Sequence, residues 1–157
     1  MEKNKILLTI ISFLYLSGCG YTIVKHSGNN NFNLVDISTS GVQKINHKIN
    51  NRLTFNSSQD SKNQIQINLN TIKSKTIKEK NIKNEITKYE ITITTKVIYT
   101  VIHNKRKKGF SISKSGDLNV ASNTLQTLNN EKRLTEILGN KIVESILERL
   151  NIELNDS

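Results

Sequence analysis

The chain has 157 residues, with 23 Lys+Arg against 13 Asp+Glu and a formal net charge of +10. That length suits one ordinary domain, and a single cysteine excludes an intramolecular disulfide framework. Proline and tryptophan are absent, and Lys is abundant throughout, so part of the positive balance is compositional.

Lys3 and Lys5 precede an apolar run from Ile6 to Leu16, broken only by Thr9 and Ser12. A positive start, a short apolar run and small residues after it are the order of an export signal. The run is too short for a bilayer span, which needs about 20 residues. Its ending, Leu16-Ser17-Gly18-Cys19, resembles the bacterial lipobox. The resemblance implies cleavage before Cys19 and acylation of its thiol. Residues 1–18 are then a cleaved signal peptide, 19–31 a lipidated polar tether, and 32–157 a single domain. Stable anchoring takes two lipid signals, at about 0.8 kcal/mol per buried methylene. A lipoprotein cysteine carries two or three chains, which predicts a firm membrane anchor. Gly20 stands where an Asp would mark inner-membrane retention, so the expected location is the outer membrane, periplasmic face.

Phe32 to Thr39 reads as a first strand, ended by Thr39-Ser40-Gly41. Val42, Ile45, Ile49 and Leu53 then recur at three- and four-residue steps, the stripe of an amphipathic helix. Asn56 to Lys62 is a polar loop. Ile65, Ile67 and Leu69 alternate with Gln66 and Asn68, which marks a strand with one buried face. Thr76 to Thr87 reads as a basic connection. Tyr89 to Val101 is the strongest strand, with Tyr89, Ile91, Ile93, Val97, Tyr99 and Val101 on one face. Asn104 to Gly109 reads as a turn pivoting on Asn and Gly, and Phe110 and Ile112 open the returning strand. Asn123 is placed to cap a last helix, with Gln126 completing a capping box. Leu134, Ile137, Leu138, Ile142, Val143, Ile146, Leu147 and Leu150 give that helix a broad apolar face. Gly139 interrupts it, as close packing on the sheet would require.

The predicted order is β-α-β-β-β-α. It implies an α+β fold with two helices packed on one face of a four-stranded mixed or antiparallel sheet. The other sheet face is Thr, Ser, Lys and Glu, suited to water or to a polar partner.

Charge is concentrated between Lys73 and Lys108, where eleven basic residues face three acidic ones. Concentrated positive charge calls for a polyanion. Export excludes most nucleic acid, leaving anionic lipid head groups or lipopolysaccharide. His26, His47 and His103 are scattered and no carboxylate cluster accompanies them, so no metal, cofactor or enzymatic activity is expected.

The Ser17-Gly18-Cys19-Gly20-Tyr21 start, the order of elements and the segment Glu131–Val143 together resemble the LPS-assembly lipoprotein family, LptE. The resemblance spans nearly the whole chain, although members of that family often carry prolines and more arginines. It implies a plug inside the β-barrel of the translocon partner LptD, and a lipopolysaccharide-binding subunit held to the membrane by its lipid anchor. The basic contacts it implies fall on Lys105, Arg106, Lys107 and Lys108, with Lys78, Lys80 and Lys83 as further candidates. Another small envelope lipoprotein, such as an auxiliary subunit of a lipid ABC transporter, is the alternative reading.

Overall fold

The computed structural model describes residues 31–155. The expected signal peptide, the lipidation site Cys19 and the tether before Asn31 lie outside the described residues. The elements are β1 (Asn33–Gly41), α1 (Gln43–Asn56), β2 (Gln64–Lys80), β3 (Ile86–Val101), β4 (Arg106–Asn119) and α2 (Thr124–Asn155). The strands form one sheet in the order β1-β2-β3-β4. β1 runs parallel to β2, and β2–β3 and β3–β4 are antiparallel, so the sheet is mixed. This is the expected α+β architecture.

One sheet face is covered by both helices. Ile65, Ile67 and Leu69 of β2 and Ile91, Ile93, Val97 and Tyr99 of β3 point into that layer and are buried. They meet Ile45, Ile49 and Leu53 of α1 and Leu138, Ile142, Ile146 and Leu150 of α2. Fully burying one such side chain contributes about 1.5–3 kcal/mol, so this layer carries most of the fold. Two hydroxyls enter it as a pair, because Thr71 and Thr95 lie opposite each other and bond at 2.9 Å. A buried hydroxyl without a partner would be costly.

Local chemistry fixes the element ends. Gly41 takes φ +88°, and the chain folds over the Thr71 carbonyl, which accepts the Val42 N–H at 2.9 Å. At the start of α2 the Asn123 Oδ1 accepts the Leu125 N–H at 2.8 Å, as a cap should. The bond that reaches back is made by Thr127, whose Oγ1 accepts the Ala121 N–H, rather than by Gln126. Gly139 also departs from expectation. It faces Ile45 of α1, not the sheet. The close approach to the sheet is at Gly116, where a Cβ would come within 2.9 Å of Leu134.

Two predicted turns are displaced. Thr76 to Lys80 is strand, paired with Ile86 to Glu90 through two register shifts, and the hairpin turn is confined to 81–85. Asn81 closes it by accepting the Lys83 and Glu85 N–H groups, with Asn84 at φ +63°. The β3–β4 turn is 102–105, with Lys105 at φ +53° and Asn104 Oδ1 accepting the Arg106 N–H. Gly109 is no pivot; it sits in β4 opposite Ile98.

Candidate functional site

These displaced turns separate the seven basic candidates. Lys78, Lys80 and Lys83 belong to the β2–β3 hairpin, while Lys105, Arg106, Lys107 and Lys108 belong to the β3–β4 turn and the start of β4. Those are opposite ends of β3, a 16-residue strand. At about 3.3 Å per residue the two groups lie roughly 50 Å apart. One small ligand cannot touch both.

The second group divides again. Arg106 and Lys108 lie opposite Val101 and Tyr99, on the helix-covered face, whereas Lys107 lies opposite Thr100 on the open face. Beside Lys107 is a shallow concavity of about 260 Å³ lined by Asp36, Ser38, Gln66, Asn68, Ile98 and Thr100. Under the helix-covered face, Tyr99 donates to Glu153 at 2.7 Å, and Arg149 binds the other oxygen of that carboxylate at 2.8 Å. Burial, then the bond to Glu153, pushes the Tyr99 hydroxyl well above its ordinary range. Burial works against ionisation of Glu153, but the bonds from Tyr99 and Arg149 outweigh it and hold the carboxyl below its ordinary value.

The hairpin end mixes charge with exposed apolar surface. Lys78 binds Asp117 at 2.6 Å, which raises its ammonium pKa above the ordinary value. Lys80 donates to Asn84 at 2.9 Å. Around them are exposed Ile77 and Ile82 on the hairpin, Val120 after β4, and Leu125 and Leu128 at the start of α2. These segments share one end, because Val120 N–H bonds Thr87 and the first turns of α2 reach β2 through Glu131. Glu131 accepts Lys73 at 2.6 Å and Lys75 at 2.7 Å, and those bonds hold its carboxyl below the ordinary range. Lys75 also lies 4.3 Å from the centre of the Tyr89 ring, a cation–π contact. The apolar part of this end was missed in the sequence because Ile77, Ile82, Leu125 and Leu128 carry no shared periodicity; only the fold collects them.

The open face of the sheet is the third feature. Gln66, Asn68 and Asn70 of β2, Thr92, Thr94 and Thr100 of β3, and Ser111, Ser113 and Ser115 of β4 line it, none of them buried. Thr94 and Ser113 bond across the strands at 2.9 Å. Among the described residues no helix packs on this side: α1 and α2 sit on the other face. Among the described residues no group of three His, Cys, Asp or Glu is placed to hold a metal ion, and no helix is long and apolar enough to cross a membrane.

No protein-family profile matches the sequence, and no curated protein matches it. Solved structures do share the architecture. The rare lipoprotein B of Shewanella oneidensis superimposes with a TM-score of 0.56 at 14% identity, covering 79% of this chain and 95% of that one. A lipoprotein B of Nitrosomonas europaea gives 0.60 at 15% identity, covering 76% and 83%. A minor lipoprotein of Acinetobacter baumannii gives 0.52 at 9% identity, covering 80% and 95%. Over most of its length this chain therefore has the fold of these bacterial lipoproteins.

Proposed function

We propose that the protein is a lipid-anchored, non-enzymatic subunit of lipopolysaccharide transport that fills the lumen of a large outer-membrane β-barrel of the LptD type. The observation that carries this reading is the sheet face that no described helix covers, four strands wide and lined mainly by Gln, Asn, Thr and Ser, interrupted by charges such as Asp36, Lys96 and Lys107. The lumen of a transmembrane barrel is polar, so a polar face can lie against it, with Lys96 and Lys107 meeting polar groups rather than apolar surface. The fold shared with solved lipoproteins and the lipobox at Cys19 support the anchor. Lipopolysaccharide pairs phosphates with acyl chains. The hairpin end offers the matching pair, with Lys80 and Lys83 beside exposed Ile77, Ile82, Leu125 and Leu128. The β3–β4 group is the weaker contact, since its cations point to different faces.

Mild detergent extraction of envelope membranes tests this reading. Co-purification of one large outer-membrane barrel protein in stoichiometric amount is the expected result. A monodisperse lipoprotein, or one that travels with an inner-membrane lipid ABC transporter, contradicts it.

A further inference from the structure

The described chain begins at Asn31, at the end of the molecule that also holds the β3–β4 turn. Asn63 donates to the Asn31 carbonyl at 2.9 Å, Asn33 N–H bonds Asn63, and Ile102 N–H bonds Gln64. The last turn of α1 arrives there too, because Ser58 N–H bonds the Phe32 carbonyl at 2.9 Å. Two large apolar side chains stand out from this end, Phe55 at 65% exposure and Ile102 at 36%. Cations flank them: Arg52 on α1, Lys62 in the α1–β2 loop, and Lys105 and Arg106 at the β3–β4 turn. Asp60 is the opposing exposed acid in that loop, while Glu153 is engaged by Tyr99 and Arg149.

We propose that this end is a membrane-contacting face, lying on the anionic lipid surface into which the Cys19 acyl chains insert. The proposal rests on the reading that Cys19 is acylated, and it goes beyond any role of a barrel partner. Reach supports the choice of occupant. From Cys19 to Asn31 the chain spans at most about 40 Å when fully extended. The anchor therefore keeps this end near its own membrane, while the 81–85 hairpin tip stands roughly 50 Å further along the sheet. Charge supports it as well, since anionic lipid attracts clustered Lys and Arg within a Debye length. Phe55 and Ile102 supply the apolar points that enter the interface. The consequence, before the domain enters a barrel, is an upright molecule, with its hairpin end directed away from the membrane that anchors it.

The test uses the lipidated full chain in vesicles of phosphatidylcholine, with or without phosphatidylglycerol. Acylation consumes the only cysteine, so a cysteine introduced by His103→Cys or Ile82→Cys takes a single environment-sensitive fluorophore. With phosphatidylglycerol present, a lipid-borne spin label quenches the fluorophore at position 103 and leaves the one at 82 unquenched. Combining Lys105→Asn with Arg106→Gln lowers the docking equilibrium constant about 30-fold, at roughly fivefold per cation near an anionic surface. Asn tolerates the positive φ at 105, so the turn survives. Equal quenching at both positions, or quenching indifferent to phosphatidylglycerol, overturns the proposal. A fluorophore at 103 that is shielded from water but not quenched by lipid also overturns it, because it marks a second protein copy. Failure to join vesicles at all refutes the anchor itself. These vesicles contain no barrel, so none of these results bears on the barrel reading.

Discussion

At Gly41 a Cβ would collide with the Thr71 carbonyl oxygen, and the backbone already sits at φ +88°. Gly41→Ala is therefore expected to cost about 2–4 kcal/mol. Gly139 is the opposite case. A Cβ there would lie 3.8 Å from Ile45, ordinary contact distance, and glycine inside a helix costs about 1 kcal/mol relative to alanine. Gly139→Ala should raise the melting temperature by about 3 °C for a domain of this size, while Gly41→Ala lowers it; thermal melts by circular dichroism check both. A glycine's neighbours decide its role, and the sequence does not show them. The break at Thr39-Ser40-Gly41 was legible from composition, but the roles expected of Gly109 and Gly139 were not. Glu131 adds a pH signature. Its native pKa is lowered by Lys73 and Lys75, so its contribution is full above the ordinary carboxylate value and is lost as pH falls through the lower native one. Glu131→Gln should cost about 1 kcal/mol at neutral pH, and melts repeated at about pH 3 should show the gap to wild type closing.

Among the elements, those with one buried face were legible because burial writes a period into the sequence. The stripe Ile45, Ile49, Leu53 and the alternation Ile65, Ile67, Leu69 both mark faces that are buried. Beyond Thr71 the β2 strand continues with Lys73, Lys75 and Lys78, which are held by Glu131 and Asp117 instead of by apolar packing. Strand without a buried face leaves no alternation, so Thr76 to Lys80 reads as a loop. The two faces of the sheet should respond differently to truncation. Ile93 is fully buried, and Ile93→Ala should cost about 2–5 kcal/mol through lost burial and a cavity. Ile72 lies on the open face at 62% exposure, and Ile72→Ala should stay within about 0.5 kcal/mol. Chemical denaturation of the two variants measures the contrast; equal losses would mean that the open face is packed.

For the whole molecule, the central basic segment was legible as charge but not as geometry. Eleven basic residues between Lys73 and Lys108 read as one patch along the sequence. The antiparallel turn-back of β3 instead spreads them along the sheet, from the 81–85 hairpin past mid-strand Lys96 to the β3–β4 turn, with some spent on Glu131, Asp117 and Glu79. The polarity of the open face was legible as alternation, and its freedom from helices followed only once both helices were seen on one side. The proposed function places this open face against the lumen of a barrel. Site-specific photocrosslinking from Thr94, in the middle of that face, tests it in intact cells. A single adduct with a large outer-membrane β-barrel protein is expected. No adduct, or an adduct with a subunit of an inner-membrane transporter, would contradict it.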